Sequence, residues 1–336
     1  MRFSLLALLL LCASTVRAAD EWQPVATELL KQEKTGFGGL SGVVVDRDTG
    51  DLFVCLSDRG VFRSTDQGKT WARHGKDDKD ILKGRTETPG CFQIDPTGKT
   101  KQFILPRVYG APITVGSTDP AAAWRTMDKK SVHVDWCAVD WTDAERKFVL
   151  TFVHESKERL VLVSHDGGKS FTEASKGHGL GAWIFDADTA VVALAKSKDK
   201  PKGGIVRTTD GGKTFAPVAE YAAVCLPKPQ GDTLYWLVEG ALLKGTEKGE
   251  KWTKVSDIKD ARYGPVFGKD AKTLFVLTNA GVIESTDSGA TWGKPIPVPK
   301  ELKGVSALTW LEYDPKNDVL YVMKMGSDLY KLPRPK

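Results

Sequence analysis

The sequence is poor in the residues that most often carry ready-made chemistry. Of 336 residues only 5 are cysteine, 5 histidine and 4 methionine. No C-x-x-C pair occurs, so neither a zinc ribbon nor a thioredoxin-type redox site is spelled out. The phosphate-cradling P-loop, the dinucleotide fingerprint, H-E-x-x-H and G-x-S-x-G are all missing, which removes support for nucleotide-binding, zinc-protease and serine-hydrolase readings. No metal or cofactor is expected. A dominant charge is lacking too, since 48 Lys and Arg stand against 43 Asp and Glu, a formal +5. Such a mixed balance does not suggest a nucleic-acid partner. Beyond the N-terminus no apolar run reaches 18 residues, so no membrane span is expected.

The N-terminus itself differs in kind. Arg2 is followed by the apolar stretch Phe3 to Leu11 and by Val16-Arg17-Ala18, an acceptable small-residue cleavage site. Residues 1–18 therefore read as a cleavable signal peptide, which implies a secreted or periplasmic protein. A lipid anchor through Cys12 is disfavoured, because Leu11 stands where a small residue is wanted. Removing Arg2 and Arg17 leaves a formal charge of +3. The other four cysteines, Cys55, Cys91, Cys137 and Cys225, each lie in an apolar run. They read more simply as small buried thiols than as disulfides, although the compartment permits either.

What the sequence does contain is a repeat. Ser64 to Trp71 (STDQGKTW) returns as Ser164 to Phe171 (SHDGGKSF), Thr208 to Phe215 (TTDGGKTF) and Ser285 to Trp292 (STDSGATW). Two worn copies are Ser117 to Trp124 (STDPAAAW), which keeps Asp119 but has Ala121 for the glycine, and Gly245 to Trp252 (GTEKGEKW), which has Glu247 for the aspartate. The closing aromatics are 53, 47, 44, 37 and 40 residues apart. Around the first copy, Val43 to Asp46, Leu52 to Leu56 and Val61 to Arg63 are short β-branched or aromatic runs cut by Gly and Asp turns. They predict hairpin-linked antiparallel strands. Four short strands per period of this length make a propeller blade.

Further units are expected to begin at Cys91, Cys137, Ala182, Ala223 (Ala223 to Leu226, then Thr233 to Val238) and Val266. A seventh, Ala307 to Leu332, stops where its own motif should start. Its missing outer strand is expected at Glu21 to Ala26, which parallels Thr214 to Ala219. The expected fold is an all-β, seven-bladed propeller over residues 19–336, its ring closed by the N-terminal strand, leaving no unpaired sheet edge.

These motifs resemble the Asp-box (BNR) repeat of sialidases, sortilin, xyloglucanases and photosystem II assembly-factor propellers, and the copies cover nearly the whole chain. The residue types explain themselves. Asp66, Asp166, Asp210 and Asp287, with Asp119 in the worn copy, can accept N–H groups of their own turn. Gly68 can take positive φ, and Trp71 buries a ring against its blade. Repetition argues for a structural role, because a catalytic centre is needed once. In the resembling families the boxes join strands three and four, away from the active face.

That resemblance sends the search for a ligand face to the inter-blade connections and the loops between strands two and three. There the sequence nominates Asp58, Arg59, Arg85, Arg107, Tyr109, His133, Asp135, Trp136, His154, Glu155, His178, Arg262, Tyr263 and Asp328. The histidines read most simply as solvated loop residues. The sharper alternative is the convergence of His133, His154 and His178 on a metal site or a proton-transfer site with Asp135 or Glu155. Of the sialidase features the resemblance implies, Arg-Ile-Pro is absent. The xyloglucanases use two propellers with a cleft between them. A glycosidase also needs two carboxylates across an open site, for which Asp58, Asp135 and Glu155 are the candidates. The basic run Lys196 to Lys202 reads as a solvated loop. The expected function is therefore an exported, non-catalytic binding or assembly module for a protein, peptide or carbohydrate, the alternative being a glycoside hydrolase on the same face.

Overall fold

A computed structural model describes residues 21–75, 84–110, 113–127, 133–154, 159–177, 179–198 and 203–334. The signal-peptide reading for 1–18, as well as Glu155 and His178, falls outside them. Seven antiparallel sheets stand around one axis, each with its first strand innermost. Second strands such as Leu52–Leu56 and Leu274–Thr278 are buried at every position. This follows from the radial stacking, which gives each blade a neighbour on both faces, and it explains why these strands read as continuous apolar runs rather than alternations.

The ring closes through the N-terminus. Gln23–Pro24 pairs with Leu329–Pro333, placing Gln23 opposite Lys331 and Pro24 opposite Tyr330. Pro24 is tolerable because this is an outer edge, where no ladder donor is needed. The Trp22 indole donates to the Pro297 carbonyl at 2.8 Å, and Trp71, the first box tryptophan, donates to Val25 O at 2.8 Å. Gly68 (φ +85) lets that strand come close: a Cβ there would lie 2.6 Å from Val25 Cβ. The strand is shorter than the sequence suggests, for the chain turns into a helix, Thr27–Glu33. Asp328 accepts from Ala26 N at 2.8 Å and from the Thr27 hydroxyl, so this nominated face residue fixes the entry to that helix.

The four well-kept boxes share one hydrogen-bond pattern. In each, the leading hydroxyl donates to its aspartate and accepts the glycine N–H, as Ser64 does with Asp66 (2.8 Å) and Gly68 (2.8 Å). The aspartate then accepts both the N–H and the hydroxyl of the residue four places on, as at Asp287 with Thr291 (2.8 and 2.6 Å). The worn copy at Asp119 does not repeat this pattern: Ser117 Oγ accepts Asp119 N at 3.0 Å, and Asp119 accepts Ala121 N at 2.9 Å. The one at Glu247 is a different turn. Glu247 and Lys248 both have φ +52, and the Glu247 carboxylate reaches Lys251 Nζ at 2.7 Å instead of the backbone. A second repeated aspartate, unnoticed in the sequence, closes the turn after the innermost strand. Asp46, Asp95, Asp140, Asp186, Asp270 and Asp314 each accept backbone N–H groups two to five residues ahead.

Two blades depart from the expected strands, blade five in the position of its innermost strand and blade six in strand number. In blade five the innermost strand is Lys228–Gln230, and Ala223 makes only a single bridge to Val238. Between them the Cys225 carbonyl is taken by the Trp236 indole at 2.7 Å, and Pro227 has no N–H to give. Blade six has three strands, Ala261–Phe267, Leu274–Thr278 and Gly281–Ser285. Past Trp292 the sequence Pro295-Ile296-Pro297-Val298-Pro299 removes every second donor, so only the Val282–Ile296 bridge forms. The four described cysteines, Cys55, Cys91, Cys137 and Cys225, are free, buried thiols.

Candidate functional site

On the face of the inter-blade connections, aromatic and ionisable side chains meet in one chain of contacts. The Arg85 guanidinium lies 4.5 Å from the Phe37 ring centre and 5.4 Å from that of Tyr109, and its Nε donates to Glu87 Oε1 at 2.8 Å. Phe37 and Tyr109 meet edge to face at 5.4 Å, and Tyr109 meets His133 in the same way at 4.5 Å. The rings of His133 and His154 are 5.6 Å apart, and His154 Nδ1 lies 2.7 Å from Asp135 Oδ1. The histidines thus converge, against the simpler sequence reading of separate solvated loops. Tyr109 (52 % exposed) and Phe37 (39 %) are the two most exposed large hydrophobic residues described.

The backbone is held in unusual geometry here. Tyr109 (φ +60) and His133 (φ +58) are both left-handed, a conformation that costs a non-glycine residue roughly 1–3 kcal/mol and persists only where surrounding contacts fix it. His133 Nδ1 is buried with no partner.

Inward of this patch, on the ring axis, is a cup of about 280 Å³, lined among others by Glu87, Asp135, Trp136, His154 and Arg262. Burial pushes the Asp135 carboxyl up, opposed by the His154 hydrogen bond and reinforced by the neighbouring Glu87 charge. The arrangement can accept and donate protons. Yet both carboxylates are already engaged, Asp135 by His154 and Glu87 by Arg85.

Other nominated residues belong elsewhere. Arg107 is 1 % exposed; it donates to Thr114 Oγ1 at 2.7 Å and leaves Nε unpartnered, and burial lowers its pKa to about 10. Tyr263 is wholly buried. Trp136 is nearly so, its indole donating to Gly179 O at 3.0 Å, and only its edge reaches the cup. Asp58 pairs with Arg59 at 2.7 Å, and Arg59 donates to Glu33 O and Lys34 O, so the pair ties down the end of the N-terminal helix. Arg262, by contrast, stays in the lining of the cup, where it donates to Asn279 at 2.7 Å. Lys196 pairs with Glu239. Among the described residues no cluster of three or more His, Cys, Asp or Glu is arranged to hold a metal ion.

Sequence reasoning missed Phe37 and Glu87. Phe37 carried a faint signal, a lone aromatic inside Gly36 to Gly39, where backbone freedom would otherwise serve no apolar residue. Glu87 carries no such signal, lying between blades one and two outside any strand or box motif.

Fold and motif together define a seven-bladed Asp-box propeller, and comparison with known proteins agrees. The family model for the BNR/Asp-box repeat matches residues 62–73. The chain is 25 % identical over 191 residues to a xyloglucanase of Hypocrea jecorina (strain QM6a), covering 53 % of this chain and only 21 % of that enzyme. Among solved structures it resembles a GH74 enzyme from Niastella koreensis, with TM-score 0.59, 14 % identity, and coverage of 87 % of this chain and 52 % of that one. It also resembles YCF48 bound to D1 peptide, with TM-score 0.54, 14 % identity, and coverage of 88 % and 93 %. At such identities the structural likeness concerns the fold.

Proposed function

We propose that this chain is an exported recognition module that grips a peptide or loop of a partner protein on its upper face, without turning over a substrate there. The observation that carries this reading is the exposed Phe37–Arg85–Tyr109 stack on a backbone held in strained geometry. Aromatic and arginine side chains on a rigid support are the usual anchors of protein interfaces. A propeller of the same fold holding a peptide supports the choice of partner class. The rival is a glycoside hydrolase, to which the xyloglucanase relative points. Against it stands the engagement of Asp135 and Glu87 within the patch, which among the described residues leaves no free pair of carboxylates there.

The test is a peptide array probed with the mature chain, followed by titration of the hits. Tyr109→Ala and Phe37→Ala should each weaken binding about tenfold or more, the cost of about 1.4 kcal/mol at an anchor. In parallel, a panel of glycosides should show no turnover. Hydrolysis of any member, lost in Asp135→Asn, sinks the proposal. Export is checked separately by fractionating cells for a chain shortened by its first 18 residues.

A further inference from the structure

The larger cavity opens on the opposite face. It lies on the ring axis among the turns that follow the innermost strands, and its volume is about 1060 Å³. Lys228 and Glu312 line it, coming from blades five and seven. Behind them lies the buried Tyr263 of blade six. The Lys228 ammonium donates to the Tyr263 hydroxyl at 2.9 Å, and that hydroxyl donates to Glu312 Oε1 at 3.4 Å. Gly90 (φ +82) makes room for the group: a Cβ there would lie 2.8 Å from the phenol oxygen and 3.1 Å from Lys228 Nζ.

Two opposite charges therefore sit on either side of one phenol oxygen, bridged by it and not in direct contact. Among the described residues neither Lys228 nor Glu312 forms an ion pair, although lysines nearer the mouth do, Lys248 with Asp186 at 2.6 Å and Lys269 with Asp318 at 2.9 Å. The nearby Arg47 is committed to the carbonyls of Phe267 and Gly268, at 2.8 and 2.7 Å. The phenol remains a neutral donor, because burial and the Glu312 charge push its pKa well up. Burial raises the Glu312 pKa as well, against the opposing pull of Lys228 and Arg47. A desolvated charge is costly until it is paired and hydrogen-bonded. A ligand that brings both missing partners at once satisfies both half-buried groups, and its recognition is specific because an analogue lacking either leaves one of the two charges without a partner.

We infer that this lower cavity binds a small zwitterion of the α-amino-acid type, its carboxylate taken by Lys228 and its ammonium by Glu312, with the side chain extending toward the mouth. The inference does not rest on the reading of the upper face, which lies at the other end of the axis.

Calorimetric titration and thermal denaturation of the full mature chain test it, using leucine and glycine as zwitterions, ethanolamine as ammonium alone, propionate as carboxylate alone, and glucose as a neutral polyol. The expected result is saturable binding and a raised melting temperature with at least one zwitterion, and neither with the three controls. Glu312→Gln and Lys228→Met should each weaken zwitterion binding at least tenfold, whereas Tyr109→Ala on the upper face leaves it unchanged. The panel on the unaltered chain decides the matter even where a variant fails to fold. No saturable zwitterion binding, equal binding of glucose, or undiminished binding by a folded Glu312→Gln chain overturns the proposal.

Discussion

Asp210 and Asp287 illustrate how much a single turn residue does. Each accepts the hydroxyl and the N–H of a threonine four places on, and each also receives the leading hydroxyl of its box. With the threonine hydroxyl as the first cause, these bonds hold both carboxyls down at about 2. An unfolded aspartate titrates near about 3.9, so between these values the folded chain binds fewer protons than the unfolded one. The contribution is fully present above about pH 4 and is lost as the pH falls toward 2. Melting temperature measured across that window should drop steeply, and the Asp210→Asn/Asp287→Asn double variant should show a shallower slope. Gly68→Ala places a methyl group against Val25 in a left-handed backbone. Strain and overpacking together should cost about 1–3 kcal/mol in chemical denaturation. Arg107 is the opposite case, a buried guanidinium with no described acid partner. Arg107→Met removes an unpaired charge while keeping the volume, so stability should hold or rise. A loss above about 2 kcal/mol in denaturant titration would reveal a hidden role.

The N-terminal strand is only two residues long, yet three indole or backbone bonds fix it, from Trp22, Trp71 and Val25 N. Trp71→Phe keeps the packing but loses the bond to Val25 O, worth about 1 kcal/mol in an unfolding titration. Deleting residues 21–33 uncovers the outer edge of Leu329–Pro333, and an exposed strand edge invites pairing with other chains. Light scattering should then show association that a chain keeping residues 21–33 lacks. Where strand assignment from the sequence fails, the cause is visible in the elements themselves. Leu-Pro in blade five and alternate prolines in blade six break ladders that apolar patterning alone would continue. At the second repeated aspartate the information was present, as Val45-Asp46, Ile94-Asp95, Val139-Asp140 and Tyr313-Asp314.

Over the whole molecule, residues of blades seven, one, two, three and four share one buried apolar cluster. The ring should therefore unfold in a single calorimetric transition, since no blade keeps its own enclosed core. The axis of that ring carries two cups facing opposite ways; the sequence nominated Asp135, Trp136, His154 and Arg262 of the upper one and marked nothing of the lower. The sequence by itself determined the repeat, the chemistry of the box turns and the closure of the ring by its N-terminus. Turn geometry depends on residues within about five positions of one another, so it can be read locally. Only the tertiary structure decided that Asp135 meets His154, that Arg107 and Tyr263 lie inside, and that the larger cavity opens on the box side. The axial sites take roughly one side chain from each blade: Tyr263 reaches Lys228 across 35 residues and Glu312 across 49. Nothing in a strand's own pattern says which of its alternating side chains will point to the axis, because that follows from how seven twisted sheets pack around it.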